Sequence, residues 1–217
     1  MSDRVAESLR GFGPLGIAAT LLILLAITPW IGALLVLVWA HWSKTPWSEI
    51  GYRRPASWAR STIGGLGCGI AFKLVMKALV MPLFGADPIN NAYHYLAGNP
   101  AALPGMLFAV TIGAGFGEET VFRGFLFARL RAILGQSIGA TTAIVILTSA
   151  WFSLVHYPGQ GIPGMEQAAI TGLVFGTIFA ITGRLWMLMV MHAAFDLTAV
   201  ALIYWNLEAN VAHWVFR

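Results

Sequence analysis

Apolar segments long enough to cross a membrane recur along this 217-residue chain, and they leave it very few folds. They run at roughly 62–84, 104–131, 138–157, 167–182 and 185–205, preceded by an apolar stretch at 12–42 that is broken at Thr28-Pro29-Trp30. Segments of about 18 or more uncharged residues mark transmembrane helices rather than a soluble core. Backbone at bilayer depth must satisfy its own hydrogen bonds, which helices do. The expectation is an all-α polytopic transmembrane helical bundle of about six to seven spans. One kinked helix over 12–42 gives six and a hairpin of two short helices gives seven, which we favour. With only 10% charged residues and short polar loops, no separable soluble domain is visible. Residues 1–44 read as an N-terminal membrane anchor region and 45–217 as the functional core.

Positive charge separates by loop. Lys44, Arg53, Arg54 and Arg60 lie in the first loop, Arg129 and Arg131 after the helix that carries Glu118 and Glu119, and Arg184 in the turn after 182. The loops at about 85–103 and 157–166 contain no Lys or Arg. Cytoplasmic loops carry the Lys/Arg excess, so the Arg-bearing loops are expected in the cytoplasm, with Arg4 and Arg10 beside them if 12–42 is a hairpin. The basic balance is therefore topology information, and no nucleic-acid partner is expected. Glu7 and Arg10 interrupt the start of the chain, and the apolar run outlasts a signal-peptide core, so a first anchor is expected rather than a cleaved leader. The single cysteine, Cys68, has no internal disulfide partner. Lys73 and Lys77 sit one turn apart inside an apolar span, where they either snorkel or face a cavity.

Within this apolar background, Glu118 and Glu119 are followed by Arg123. A charge at bilayer depth costs roughly 2.5–3.5 kcal/mol even on the lenient scale, so such residues are compensated or used. Glu119 and Arg123 are four apart and share a helix face, in the right order for an ion pair. Glu118 is turned about 100° away and is left free to act as a base. The plainer alternative is a packing ion pair between helices. Two further clusters follow: Phe152 with His156, and His192 with Asp196, each one helical turn apart. A buried Asp196 needs a partner, and a hydrogen bond to His192 or to a cavity group is expected. Three polar clusters on three apolar helices point to a shared site.

The ordered set Glu118-Glu119-Thr120-Val121-Phe122-Arg123, Phe152 to His156 and His192 to Asp196 resembles the CAAX-protease and bacteriocin-processing (CPBP) family of intramembrane endopeptidases, which includes the type II CAAX prenyl endopeptidases. The segment Trp47 to Pro55 resembles the short stretch that often precedes their core, and the resemblance spans roughly 45–205. It implies an endopeptidase, glutamate-dependent or metallo-type, acting on a membrane-associated peptide or protein in the bilayer. It also implies that Glu118 and His156 activate water while His192 and Asp196 meet the oxyanion. Members often carry Asn where this chain has Asp196, and a carboxylate accepts hydrogen bonds without donating them. Asp196 is therefore expected to orient His192 instead.

Glu118, His156 and His192 would supply a two-His, one-carboxylate set suited to catalytic zinc. The His-Glu-x-x-His signature is absent, and we favour the metal-free route. The compact chain and the Trp-Ser-Glu segment point to a bacterial inner membrane. The rival readings are a proton-coupled transporter, for which paired repeats are missing, and a non-catalytic immunity or scaffold protein.

Overall fold

A computed structural model describes residues 3–13, 16–17, 20 and 28–216. Seven helices make up the fold among these residues: α1 (Asp3–Gly11), α2 (Pro29–Trp42), α3 (Trp58–Leu83), α4 (three consecutive segments, Leu103–Phe108, Ala109–Leu126 and Phe127–Leu134), α5 (Ile138–Thr182), α6 (Trp186–Tyr204) and α7 (Glu208–Ala212). No strand occurs among the described residues. The architecture is the expected all-α helical bundle. Three helices, α3, α5 and α6, are long and apolar enough to cross a membrane, whereas α2 has only 14 residues. The question of hairpin or single helix over 12–42 falls largely outside the described residues.

Local sequence sets the helix ends. Pro29 opens α2, where its missing N–H costs nothing. Ser57 caps α3 by accepting from the Arg60 amide at 3.3 Å, and Ser137 caps α5 by accepting from Ala140 at 3.2 Å. Gly183, at φ 60°, closes α5 in the left-handed conformation that glycine adopts without strain. The segment 157–166, expected as a loop, is instead helical on both sides of a break at Gly161 (φ 64°, ψ −162°). Pro158, Pro163 and the positive φ confine the interruption to a sharp kink, so the two halves of α5 are joined directly.

Apolar side chains cover the outside: Ile63 and Ile181 are 69% and 80% exposed, with Leu66, Ile70, Leu147 and Leu154 also outward. That surface fits lipid and would be costly in water. Inside, helix contact relies on small residues. A Cβ on Gly65 would lie 2.8 Å from the Met187 carbonyl, and one on Gly69 would collide with the Met191 carbonyl, so α3 and α6 pack backbone to backbone. The middle of α4 lies between α2 and α6: a Cβ on Gly115 would come within 2.9 Å of Met189 O, and one on Gly117 within 2.7 Å of Pro29 C.

The basic segments gather at one end of the bundle. Lys44 pairs with Asp3 at 2.6 Å, Arg129 donates to the Arg10 and Phe12 carbonyls at 2.6 and 3.1 Å, and the Leu185 amide donates to Gly51 O at 3.0 Å. The first loop, the end of α4 and the α5–α6 turn therefore lie together, along with α1.

Candidate active site

The segment Ala109–Leu126 of α4 is wound as a π-helix, with i→i+5 backbone bonding. Such geometry is rare and tends to accompany functional sites. It carries Glu118, Glu119 and Arg123 into the centre of the bundle.

Glu119 is fully buried and serves two partners. Its Oε1 accepts from Arg123 Nη1 at 3.0 Å and from His192 Nδ1 at 2.7 Å. Because a carboxylate only accepts, Nδ1 carries the proton, and Nε2 is turned the other way. Around Nε2 stand Asp196 Oδ2 at 3.6 Å and Glu118 Oε2 at 3.9 Å, both beyond hydrogen-bond distance. Glu118 Oε2 is buried with no hydrogen-bond partner among the described residues. The orienting contact expected from Asp196 is thus made by Glu119, from a different helix. Asp196 sits on the cavity side of the ring, because its position one turn on places it beyond Nε2.

His156 donates Nδ1–H to Phe152 O at 2.7 Å, which leaves its Nε2 as the free nitrogen. Phe152 explains its own place in the motif. Its ring centroid is 4.5 Å from that of His156 and 6.1 Å from that of His192, and the Arg123 guanidinium lies 4.5 Å from its centroid. Phe175 supports the other side, 5.2 Å from the His192 ring and 5.6 Å from the guanidinium. Two aromatic faces thus hold the Arg123–Glu119–His192 array dry and in place.

A cavity of about 410 Å³ opens in front of this array, lined by Glu118, Phe152, His156, His192 and Asp196. Glu119 and Arg123 stand behind it. Further polar residues that the sequence reading did not single out line its wall, among them Asn90, Tyr93, Gln160 and Gln167, and Lys73 takes the cavity-facing one of its two alternatives. Tyr93 comes from the α3–α4 loop, where burial, and after it the Asp196 and Glu118 carboxylates, hold its phenol above the usual pKa. It remains a hydroxyl donor. No local motif marks Tyr93, since only the loop's path brings it here.

Tyr52, in the first loop, braces the neighbouring turn. Thr120 spends its single proton on Phe116 O at 2.7 Å, so the Tyr52 hydroxyl donates to Thr120 Oγ1 at 2.8 Å.

Among the described residues, no three His, Cys, Asp or Glu side chains are grouped to hold a metal ion. Glu118, His156 and His192, the set that would suit a catalytic zinc, share a wall of the cavity, and with His192 Nδ1 bonded to Glu119 its Nε2 is the nitrogen that faces the cavity.

Fold and site together describe a helical membrane protein with an acid–imidazole centre facing an internal cavity. Residues 100–198 match the family model described as Type II CAAX prenyl endopeptidase Rce1-like, which agrees with the protease family that the three motifs resemble. The match takes in every candidate site residue from Glu118 to Asp196. No curated protein and no solved structure matches the chain.

Proposed function

We propose that the protein is a multi-pass intramembrane endopeptidase of a bacterial inner membrane, hydrolysing a peptide bond in a membrane-associated peptide or protein with water activated by Glu118 and His156. The observation that carries this reading is the 2.7 Å contact between Glu119 and His192. It joins α4 to α6 and turns His192 Nε2 towards the cavity that Glu118, His156 and Asp196 line.

In this scheme the Glu118 carboxylate takes a proton from water as the water oxygen attacks the scissile carbonyl. His156, anchored through Nδ1, uses its free Nε2 to hold the same water. The oxyanion that develops is met by His192, which as imidazolium donates Nε2–H, with Glu119 and Asp196 balancing its charge. Glu118 then returns the proton to the leaving amine. The residues do this chemistry without a bound metal, and the surrounding helices limit access to the few waters that the cavity admits.

The test is product mass after incubation of the purified protein, reconstituted in liposomes, with candidate membrane peptides. Wild type should yield two fragments whose masses sum to that of the peptide plus one water, and Glu118→Gln should yield none. Equal product from Glu118→Gln would overturn the reading.

A further inference from the structure

Among the described residues that line the first cavity, Lys73 is the one lysine or arginine, and no carboxylate touches it. It is 6% exposed, on α3. Its Nζ donates to Gln167 Oε1 at 2.8 Å and lies 4.8 Å from the centroid of Phe195. Among the described residues no carboxylate comes within the 4.0 Å that defines an ion pair with it. Its neighbour Lys77 is treated differently. Lys77 Nζ lies 3.0 Å from Glu208 Oε1 and 2.6 Å from Pro88 O, and the Glu208 carboxylate also accepts from the Asn90 amide at 3.2 Å. One lysine is paired in contact, and the other touches only a neutral amide and an aromatic ring, with the Asp196 carboxylate of the same cavity acting on it from beyond ion-pair distance.

An unpaired buried ammonium is expensive, and inside a membrane protein it marks a substrate or ion path. Lys73 also stands at a junction. A second cavity, of about 500 Å³, continues from the first, and Lys73, Asn90, Gln160 and Gln167 line both. An ammonium has three donors, of which Gln167 takes one. Because Gln167 accepts from Lys73 through its oxygen, its NH₂ group is left as a second donor beside the ammonium. Paired donors of this kind, one charged, suit a carboxylate. Phe195, beside Lys73, directly precedes Asp196, and Lys73 and Glu118 line the same cavity, so a chain whose peptide bond lies at Glu118 is within reach of an anion site here.

We propose that Lys73 and Gln167 form an anion subsite at the junction of the two cavities, binding a carboxylate of the substrate, either its chain terminus or an acidic side chain. This assignment deepens the peptidase reading and rests on it for the word substrate, although binding itself is measurable without hydrolysis.

The probe is a fluorescein-labelled apolar peptide made in three forms: a free C-terminal carboxylate, a C-terminal amide, and a C-terminal amide with one glutamate near the end. Binding to the full chain in nanodiscs is read by anisotropy in the Glu118→Gln background, and cleavage is read separately in the otherwise unaltered protein. A carboxylate form should bind about tenfold tighter than the plain amide, the scale of one charge-assisted hydrogen bond. Whether the first or the third form gains identifies the source of the carboxylate. Lys73→Met should erase the preference, Lys73→Arg should keep it, and Gln167→Leu should reduce it with the ammonium still present. Equal affinity for all three forms, no binding of any, or a preference that survives Lys73→Met overturns the subsite. Should Lys73→Met fail to fold, the peptide series on the unaltered lysine and on Gln167→Leu decides alone. Lysine-dependent binding without cleavage of any peptide would sink the peptidase reading and leave the subsite standing. Glu118-dependent cleavage that is indifferent to the carboxylate would do the reverse.

Discussion

Glu119 Oε1 lies 2.7 Å from His192 Nδ1, and the same oxygen accepts from Arg123 at 3.0 Å, so one buried carboxylate oxygen ties an arginine on its own helix to an imidazole on another. The pair of glutamates is divided by this contact. Glu119 holds the array together, and Glu118 faces the cavity.

That division predicts different failures for neighbouring substitutions. Glu119→Ala leaves Arg123, whose side chain is 2% exposed, without its counter-charge, and should cost about 3–5 kcal/mol of stability. Glu119→Gln retains a hydrogen-bond acceptor and should cost less. Its turnover should still fall by a factor approaching 10⁴, the scale for replacing an orienting carboxylate by an amide. Glu118→Gln should melt close to wild type, because Glu118 Oε2 has no hydrogen-bond partner to lose, and should be inactive. Thermal melting in detergent with turnover on the same preparations checks all three. A Glu119→Gln protein with wild-type turnover would show that the His192 contact is structural only.

Asp196 should behave unlike Glu119. Its Oδ2 is 3.6 Å from His192 Nε2 and its side chain is 26% exposed to the cavity, so it does not set the orientation of the ring. Asp196→Asn keeps a polar group there and adds a donor; turnover should change by roughly tenfold or less, well short of the 10⁴-fold loss that belongs to an orienting residue. Asp196→Ala should lose more, with KM less affected than kcat. Steady-state kinetics of both variants separates these roles, and a collapse of Asp196→Asn to the level of Glu119→Gln would restore Asp196 as the orienting group.

Much of this was legible in the chain. Apolar segments of bilayer length declare helices whatever their packing, and Glu118, Glu119, Arg123, His192 and Asp196 stand out because charge is costly among such neighbours. Helical phase correctly paired Glu119 with Arg123, since that contact lies within one helix. It could not reach the Glu119–His192 contact, which depends on which face of α6 meets α4. Sequence spacing placed His192 beside Asp196, and they lie 3.6 Å apart, but the imidazole's hydrogen bond is to Glu119, through tertiary packing. The Pro- and Gly-rich stretch from Pro158 to Pro163 reads as a loop from composition, yet only Gly161 departs from helical dihedrals. Lys73, Tyr93 and Gln167 reach the cavity from three separate elements, and no local pattern joins them.

Orientation in the membrane follows from charge and from contact. Asp3–Lys44, Arg129 with Arg10 O, and Leu185 with Gly51 O bring the basic segments to one end of the bundle, expected to be cytoplasmic. In a Cys68→Ala background, necessary because Cys68 is exposed, cysteine at Asn99 or Gly159 should react with an impermeant thiol reagent applied to intact cells, and cysteine at Ser48 only after lysis. Gly159 is preferred to Gly161, whose φ of 64° would strain any side chain, whereas a Cβ at Gly159 meets nothing within 4 Å. The opposite labelling pattern would invert the topology.

The α3–α6 seam carries the last prediction, which links packing to the site. A Cβ at Gly69 collides with the Met191 carbonyl and would come within 2.8 Å of the Ala194 Cβ, so both contacts are with parts of α6 that cannot swing away. Gly69→Ala should therefore force the two helices apart and cost about 1–3 kcal/mol, the usual range for overpacking. Met191 directly precedes His192, so the displacement would also move the imidazole relative to Glu119. Turnover should fall further than stability alone explains, with the residual protein still folded at the assay temperature. Gly67→Ala provides the control on the same helix: nothing lies within 4 Å of its Cβ, and alanine's better helix propensity should leave it neutral or more stable by up to about 1 kcal/mol. Melting temperatures and turnover of the two variants, measured side by side in detergent, decide the matter. Wild-type values for both would mean that α3 can slide on α6 without disturbing His192, and the close seam would then have no bearing on the site.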